Sequence, residues 1–195
     1  MNLAHYFTFL RIFVVPFFSI VYLGYEYLHI PATLVPYLLL ILLAICEFTD
    51  IMDGFIARRR NQVTDFGKII DPLADSITHI AIFMTLTKGW ISVPVLLVFV
   101  FLYREMLVSG LRTVCALRGH ALAARKTGKV KSFIQALVSF FIVIMMIPFT
   151  IGYVSISMLK QISFASISIA AIYSALTGIE YFYVNRSFIK KVLMK

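Results

Sequence analysis

Six apolar runs mark the chain, at roughly residues 8–28, 32–50, 68–88, 91–115, 131–152 and 161–185, with short polar stretches between them. Each is close to the ~20 residues a helix needs to cross the hydrocarbon core of a bilayer. The runs are continuous, as in "LVPYLLLILLAI", and lack the alternation of apolar and polar positions that a membrane barrel requires. The pattern therefore predicts an all-α, polytopic membrane protein with six transmembrane helices. Pro16, Pro36, Pro94 and Pro148 fall inside or at the ends of the runs, where membrane helices tolerate them. Six spans use most of the chain and no repeat is evident, so residues 1–195 read as one integral-membrane domain.

Composition strengthens this reading. Of 195 residues, 61% are hydrophobic and 14% charged, against roughly 45–50% apolar in a soluble domain, and the mean hydropathy is +0.94. The basic residues are unevenly placed. Arg58, Arg59, Arg60 and Lys68 follow the second run. Arg118, Arg125, Lys126, Lys129 and Lys131 follow the fourth, and Arg186, Lys190, Lys191 and Lys195 end the chain, while the opposite side holds only Lys88 and Lys160. The positive-inside rule puts both termini and both basic loops on the cytoplasmic side of the cell inner membrane. The formal net charge of +9 suits an anionic lipid surface and anionic substrates; nucleic acid is excluded as a partner by the lack of a soluble basic domain. Cys46 and Cys115 are isolated in apolar surroundings and read as reduced core residues. No basic region and small-residue cleavage site precede the first run, so no cleavable leader is expected.

The acidic residues are the anomaly. Six of the nine lie between Glu47 and Asp75. Asp50 and Asp53 are three apart at the end of the second run, and Asp71 and Asp75 are four apart at the start of the third, so each pair shares a helix face. Two adjacent antiparallel helices would gather four carboxylates at the membrane surface. Such a group repels itself unless a cation holds it, and oxygen-only ligands favour hard divalent ions, Mg2+ above all, with Mn2+ or calcium as alternatives. Paired ions of this kind clamp phosphoryl groups. Gly54 and Ala57 leave room beside the aspartates, Arg58 can meet phosphate oxygens, and Pro72 is expected in the first turn of the third helix. Taken singly, each aspartate reads as a solvated helix end; taken together, they read as a metal site.

Asp50-x-x-Asp53-Gly54-x-x-Ala57-Arg58, then eight residues, Gly67, three residues, Asp71, three residues and Asp75 resembles the full signature of the CDP-alcohol phosphotransferases. The resemblance covers essentially the whole chain and implies that family's six-helix membrane fold. A second stretch, "REMLVSGLRTVCALRGHALAARKTGKVKSFIQ", is similar to the corresponding region of the phosphatidylglycerophosphate synthases, and "GKIIDPLAD" is typical of them. Those enzymes join sn-glycerol 3-phosphate to the phosphatidyl group of CDP-diacylglycerol and release CMP. The resemblance implies four metal-binding aspartates, Asp50, Asp53, Asp71 and Asp75, holding two Mg2+ (or Mn2+), with Asp75 also the catalytic base. It implies CDP contacts at Gly54, Ala57 and Arg58. It places the acceptor phosphate on Arg104, Arg112 and Lys129, of which Arg104 and Arg112 are eight apart and line one helix face. It also implies a homodimer.

Two departures stand out. Relatives often carry Pro-Asn ahead of the first-run Thr and Arg, where this chain has Ala4 and His5 before Thr8 and Arg11; no role is assigned to that end. Many synthases have Lys after the last aspartate, where this chain has Ser76. Among the remaining residues, Asp65 reads as a cap or loop residue, Glu47 as a partner behind the ligands, and His79 as either such a partner or a packing residue. Glu105 reads as a partner of a nearby Arg, and Arg125, Lys126 and Lys131 as membrane-surface anchors. The competing readings are a different acceptor (serine, inositol phosphate or phosphatidylglycerol) or, from another class, a divalent-cation transporter.

Overall fold

The computed structural model describes residues 3–59, 65–117 and 126–193; within these, the side chains of residues 3–9, 53–71, 116–117, 126, 188 and 190–193 lie outside the description. Six helices follow one another: α1 (Leu3–Gly24), α2 (Val35–Arg59), α3 (Asp65–Thr85), α4 (Val95–Leu117), α5 (Lys126–Thr150) and α6 (Ile156–Leu193). They match the six apolar runs in number and order and extend past several of them into polar sequence. Among the described residues three are long and apolar enough to cross a membrane, over Val35–Met52, Thr127–Thr150 and Ile156–Ser187, and Leu10–Gly24 is a shorter apolar helix. α3 and α4 carry charge within their length, Asp71 and Asp75 in one and Arg104, Glu105 and Arg112 in the other.

α3 begins at Asp65, earlier than expected, so Pro72 lies inside the helix rather than in its first turn. Such a proline forfeits one backbone hydrogen bond, which membrane helices make good through neighbouring groups.

Each helix turns one stripe inward. On α1 it is Arg11, Val15, Phe18 and Tyr22; on α2, Val35, Leu39, Leu43 and Cys46; on α6, Leu159, Ser163, Ile167, Ala170, Ser174 and Tyr181. These are spacings of three and four or their sums, one helical face. The small residues of the α6 stripe let it pack closely against α4 and α5. Outward faces are apolar too: Phe13, Leu96, Phe133 and Ile179 are each about two-thirds exposed or more. Water would penalise that surface, whereas lipid does not. Cys46 and Cys115 are buried free thiols, as expected.

The two ends of the bundle differ. At one end Trp90 contacts Tyr22, Tyr25 and Phe149, at ring separations of 5.9, 5.0 and 5.5 Å. Tyr22 donates to the Lys88 carbonyl and accepts from the Ile91 amide. Gly89 is required there: its φ is +66°, and a Cβ would sit 3.1 Å from the Tyr22 ring. This knot joins the ends of α1, α3 and α5. The opposite end gathers the charged groups. α1 packs on both α2 and α3, and among the described residues α2 and α3 do not pack extensively on each other. Among the described residues the expected direct pairing of the two aspartate-bearing helices is replaced by packing of both against α1 and α5.

Candidate active site

A cavity of about 580 Å3 opens at the charged end. Its walls differ in sign. Glu47 and Asp50 from α2 and Asp75 from α3 form the acidic side, while Arg104 and Arg112 from α4 and Lys129 and Lys131 from α5 form the basic side. Asp75 lies on the face of α3 that carries the buried His79 and Ile82, so it is held by the same face that packs the core.

The acidic wall is tied to α1 by Arg11. Its side chain is only 2% exposed, it ion-pairs with Asp50 Oδ1, and the same nitrogen lies 3.9 Å from Asp75 Oδ1. Two carboxylates from different helices thus converge on one positive charge. Asp75 has further partners: Ser132 Oγ of α5 donates to Oδ2 at 2.7 Å, and His79 Nε2 lies 3.2 Å from Oδ1. His79 is thus both buried and a direct neighbour of Asp75. Ser132 joins the site without any signal of its own in the local sequence, and Arg11 is marked there only as a charge inside an apolar run.

The basic wall is equally built. Arg104 is mostly buried and meets Glu105 at 2.9 Å, as the sequence suggests for Glu105. The Arg104 side chain passes between two glycines: a Cβ at Gly178 of α6 would lie 3.0 Å from its Cγ, and one at Gly128 of α5 would lie 3.9 Å from Nη2. Arg112 donates from Nε to the Tyr181 hydroxyl at 3.2 Å, with its guanidinium 5.3 Å from the ring centre. Lys129 is exposed and lines the cavity. Lys131 corrects an expectation. It is 3% exposed and ion-paired with Glu105, an interior residue rather than a surface anchor. Two positions apart on a helix, Lys129 and Lys131 face nearly opposite ways, and only the second joins the buried polar stripe with Gln135 and Ser139.

Of the other predicted residues, Asp53, Gly54, Ala57 and Arg58 lie in the last turns of α2 and Asp71 in the second turn of α3. The helices run unbroken through them, so each aspartate pair keeps its one-face spacing; their side chains lie outside the described residues. Asp65 opens α3. Arg60, Arg118, Arg125 and Lys195 also lie outside the described residues. Among the described residues no group of three or more metal-ligating side chains is assembled. The two described members of the aspartate set nevertheless fit a cation: both are oxygen donors, both face one cavity, and a guanidinium already bridges toward them.

The comparisons agree with this chemistry. A family model for CDP-alcohol phosphatidyltransferase matches residues 1–181. A CDP-diacylglycerol–glycerol-3-phosphate 3-phosphatidyltransferase of Bacillus subtilis (strain 168) is 33% identical over 192 residues, covering 94% of this chain and 95% of the relative. Proteins of the same name from Rickettsia felis and Escherichia coli (strain K12) are 38% identical over 136 residues and 33% identical over 141 residues. They cover 69% of this chain in both cases, and 70% and 72% of the relatives. With its signature carried on α2 and α3 and both described signature aspartates in one cavity, the chain belongs to the CDP-alcohol phosphatidyltransferase family.

Proposed function

We propose that the protein transfers the phosphatidyl group of CDP-diacylglycerol to sn-glycerol 3-phosphate, giving phosphatidylglycerol phosphate and CMP. The observation that carries this reading is the cavity itself, in which Asp50 and Asp75 face Arg104, Arg112 and Lys129. Such a site can hold a cation-bound diphosphate against one wall and a small anionic acceptor against the other. The similarity to relatives named for this reaction supports the choice of acceptor.

Asp50, Asp53, Asp71 and Asp75 would hold the divalent cations, two Mg2+ or Mn2+ in their place. When bound, these supply positive charge for the diphosphate and for the departing CMP. Gly54, Ala57 and Arg58 accommodate the CDP portion. Arg104, Arg112 and Lys129 seat the acceptor phosphate. Asp75 takes the proton of the acceptor hydroxyl as its oxygen bonds to the phosphorus carrying diacylglycerol and the bridge to CMP breaks. Ser132 and His79, on the two oxygens of Asp75, keep its carboxylate oriented.

The same reading places six spans in the cell inner membrane, with both termini and the charged end in the cytoplasm, where water-soluble glycerol 3-phosphate and the lipid headgroup meet. The apolar outer faces support this placement. The protein would work as a homodimer. The experiment is an acceptor panel: purified protein receives CDP-diacylglycerol and, separately, glycerol 3-phosphate, serine, inositol phosphate or phosphatidylglycerol. CMP release is followed with and without magnesium. Release only with glycerol 3-phosphate and magnesium is expected. Turnover of another acceptor in its place reassigns the basic wall. Metal flux into liposomes without CMP release makes the chain a transporter.

A further inference from the structure

Glu105 sits midway along α4, on its inward stripe between Phe101 and Val108, with its side chain 11% exposed. It is bound from three helices at once. Ser76 Oγ of α3 donates to Oε2 at 2.8 Å, Arg104 Nη1 donates to Oε1 at 2.9 Å, and Lys131 Nζ of α5 donates to Oε1. A carboxylate is the wrong sign to touch a phosphate, and protein donors satisfy both of its oxygens. It is the right sign to fix two cations that would otherwise repel each other in a poorly hydrated place. The absence of side chains at Gly178 and Gly128 leaves room for Arg104, since a Cβ at Gly178 would lie 3.0 Å from its Cγ.

We propose that Glu105 is a positioning residue for the acceptor site: it holds Arg104 and Lys131 in the basic wall, and acts on glycerol 3-phosphate through them. Ser76 belongs to the same device, as a neutral donor completing the carboxylate's hydrogen bonds. Lys131 contributes a second buried cation, whose charge Glu105 offsets. This inference rests on the reading of the cavity as a glycerol 3-phosphate site.

The test is steady-state kinetics of Glu105→Gln, with each substrate varied in turn and magnesium saturating. Gln keeps the shape and an accepting oxygen but loses the charge. The expected result is a fall of about tenfold or more in kcat/KM for glycerol 3-phosphate, the scale of a lost hydrogen bond to a charged group. KM for CDP-diacylglycerol should stay within about twofold. Because Glu105 acts in part through Lys131, its loss in a Lys131→Met background should cost clearly less than in the wild type, the remainder being its hold on Arg104. Unchanged kinetics, an equal loss toward both substrates, or a fully additive double variant would each overturn the proposal. Should Glu105→Gln fail to fold, Ser76→Ala removes one of the three bonds and leaves both cations. It should raise KM for glycerol 3-phosphate by roughly two- to fivefold and leave the other KM alone; no change in either KM overturns the proposal. Wild-type protein run alongside separates the two readings. If it releases no CMP with glycerol 3-phosphate, the functional reading fails; if it turns over and the variants match it, only the role of Glu105 fails.

Discussion

Replacing Arg11 by Gln tests the acidic wall without touching an aspartate. The Arg11 side chain is 2% exposed and pairs with Asp50, with Asp75 3.9 Å away. Removing one partner of a fully buried pair costs about 3–5 kcal/mol, because the other charge is left uncompensated. Asp50 is 44% exposed, so water screens part of this, and about 1–3 kcal/mol is the appropriate range. For a chain of this size each kcal/mol moves the melting temperature by roughly 2–4 °C, so a drop of about 2–12 °C is expected in EDTA. Magnesium should narrow that gap. A ligand that binds only the folded state adds about 2.7 kcal/mol at a hundred times its Kd, and the variant has lost the cation that competes for the same carboxylates. The assay is thermal unfolding in detergent, followed by the fluorescence of the single tryptophan, Trp90, with and without magnesium, and with Arg11→Lys as a charge-preserving control. Equal melting temperatures for wild type and Arg11→Gln in EDTA, or a gap that magnesium leaves untouched, would refute the reasoning.

Other expectations follow from single contacts. Asp75→Asn should reduce CMP release by roughly 10^2–10^4-fold, the range for a lost general base, and near-full turnover would remove Asp75 from that role. His79→Ala, which takes away one partner of Asp75 at 3.2 Å, should lower kcat by about tenfold while leaving KM for glycerol 3-phosphate unchanged. Gly178→Val would press on Arg104, whose Cγ lies 3.0 Å from the point the new Cβ would occupy, and should raise KM for glycerol 3-phosphate more than KM for CDP-diacylglycerol. Gly89→Ala meets both a φ of +66° and the Tyr22 ring, at the end away from the cavity. It should cost about 1–2 kcal/mol, seen as a lower melting temperature, with kcat unaltered.

Helices and the aspartate pairs are legible in the sequence because both are local properties. Apolar runs name their own helices, and a spacing of three or four names a shared face. Arg104 and Arg112 are readable for the same reason, being two turns apart on one helix. The choice of partner is not local, and it is what the sequence hides. Arg11 reads as a lone charge in an apolar run, yet it continues the stripe of Val15, Phe18 and Tyr22 and emerges opposite two aspartates. Lys131 reads as one more surface cation in "KTGKVKSF". The signal that separates it from Lys129 is the polar series Lys131, Gln135 and Ser139, four apart in an otherwise apolar helix, which in a membrane protein marks the interior face. Pro72 falls deeper in its helix than the sequence predicts because the apolar run begins after the helix does. No pattern in α2 and α3 can announce that both pack on α1 and α5.

The central claim is that one cavity carries a lipid diphosphate on its acidic wall and glycerol 3-phosphate on its basic wall. Its most direct test gives purified protein radiolabelled glycerol 3-phosphate and CDP-diacylglycerol, and measures label in the lipid phase together with CMP released. Equal amounts of labelled lipid and CMP are expected in magnesium, and neither in EDTA or in Asp50→Asn. CMP released without label entering lipid, or labelling that survives both EDTA and Asp50→Asn, would contradict it.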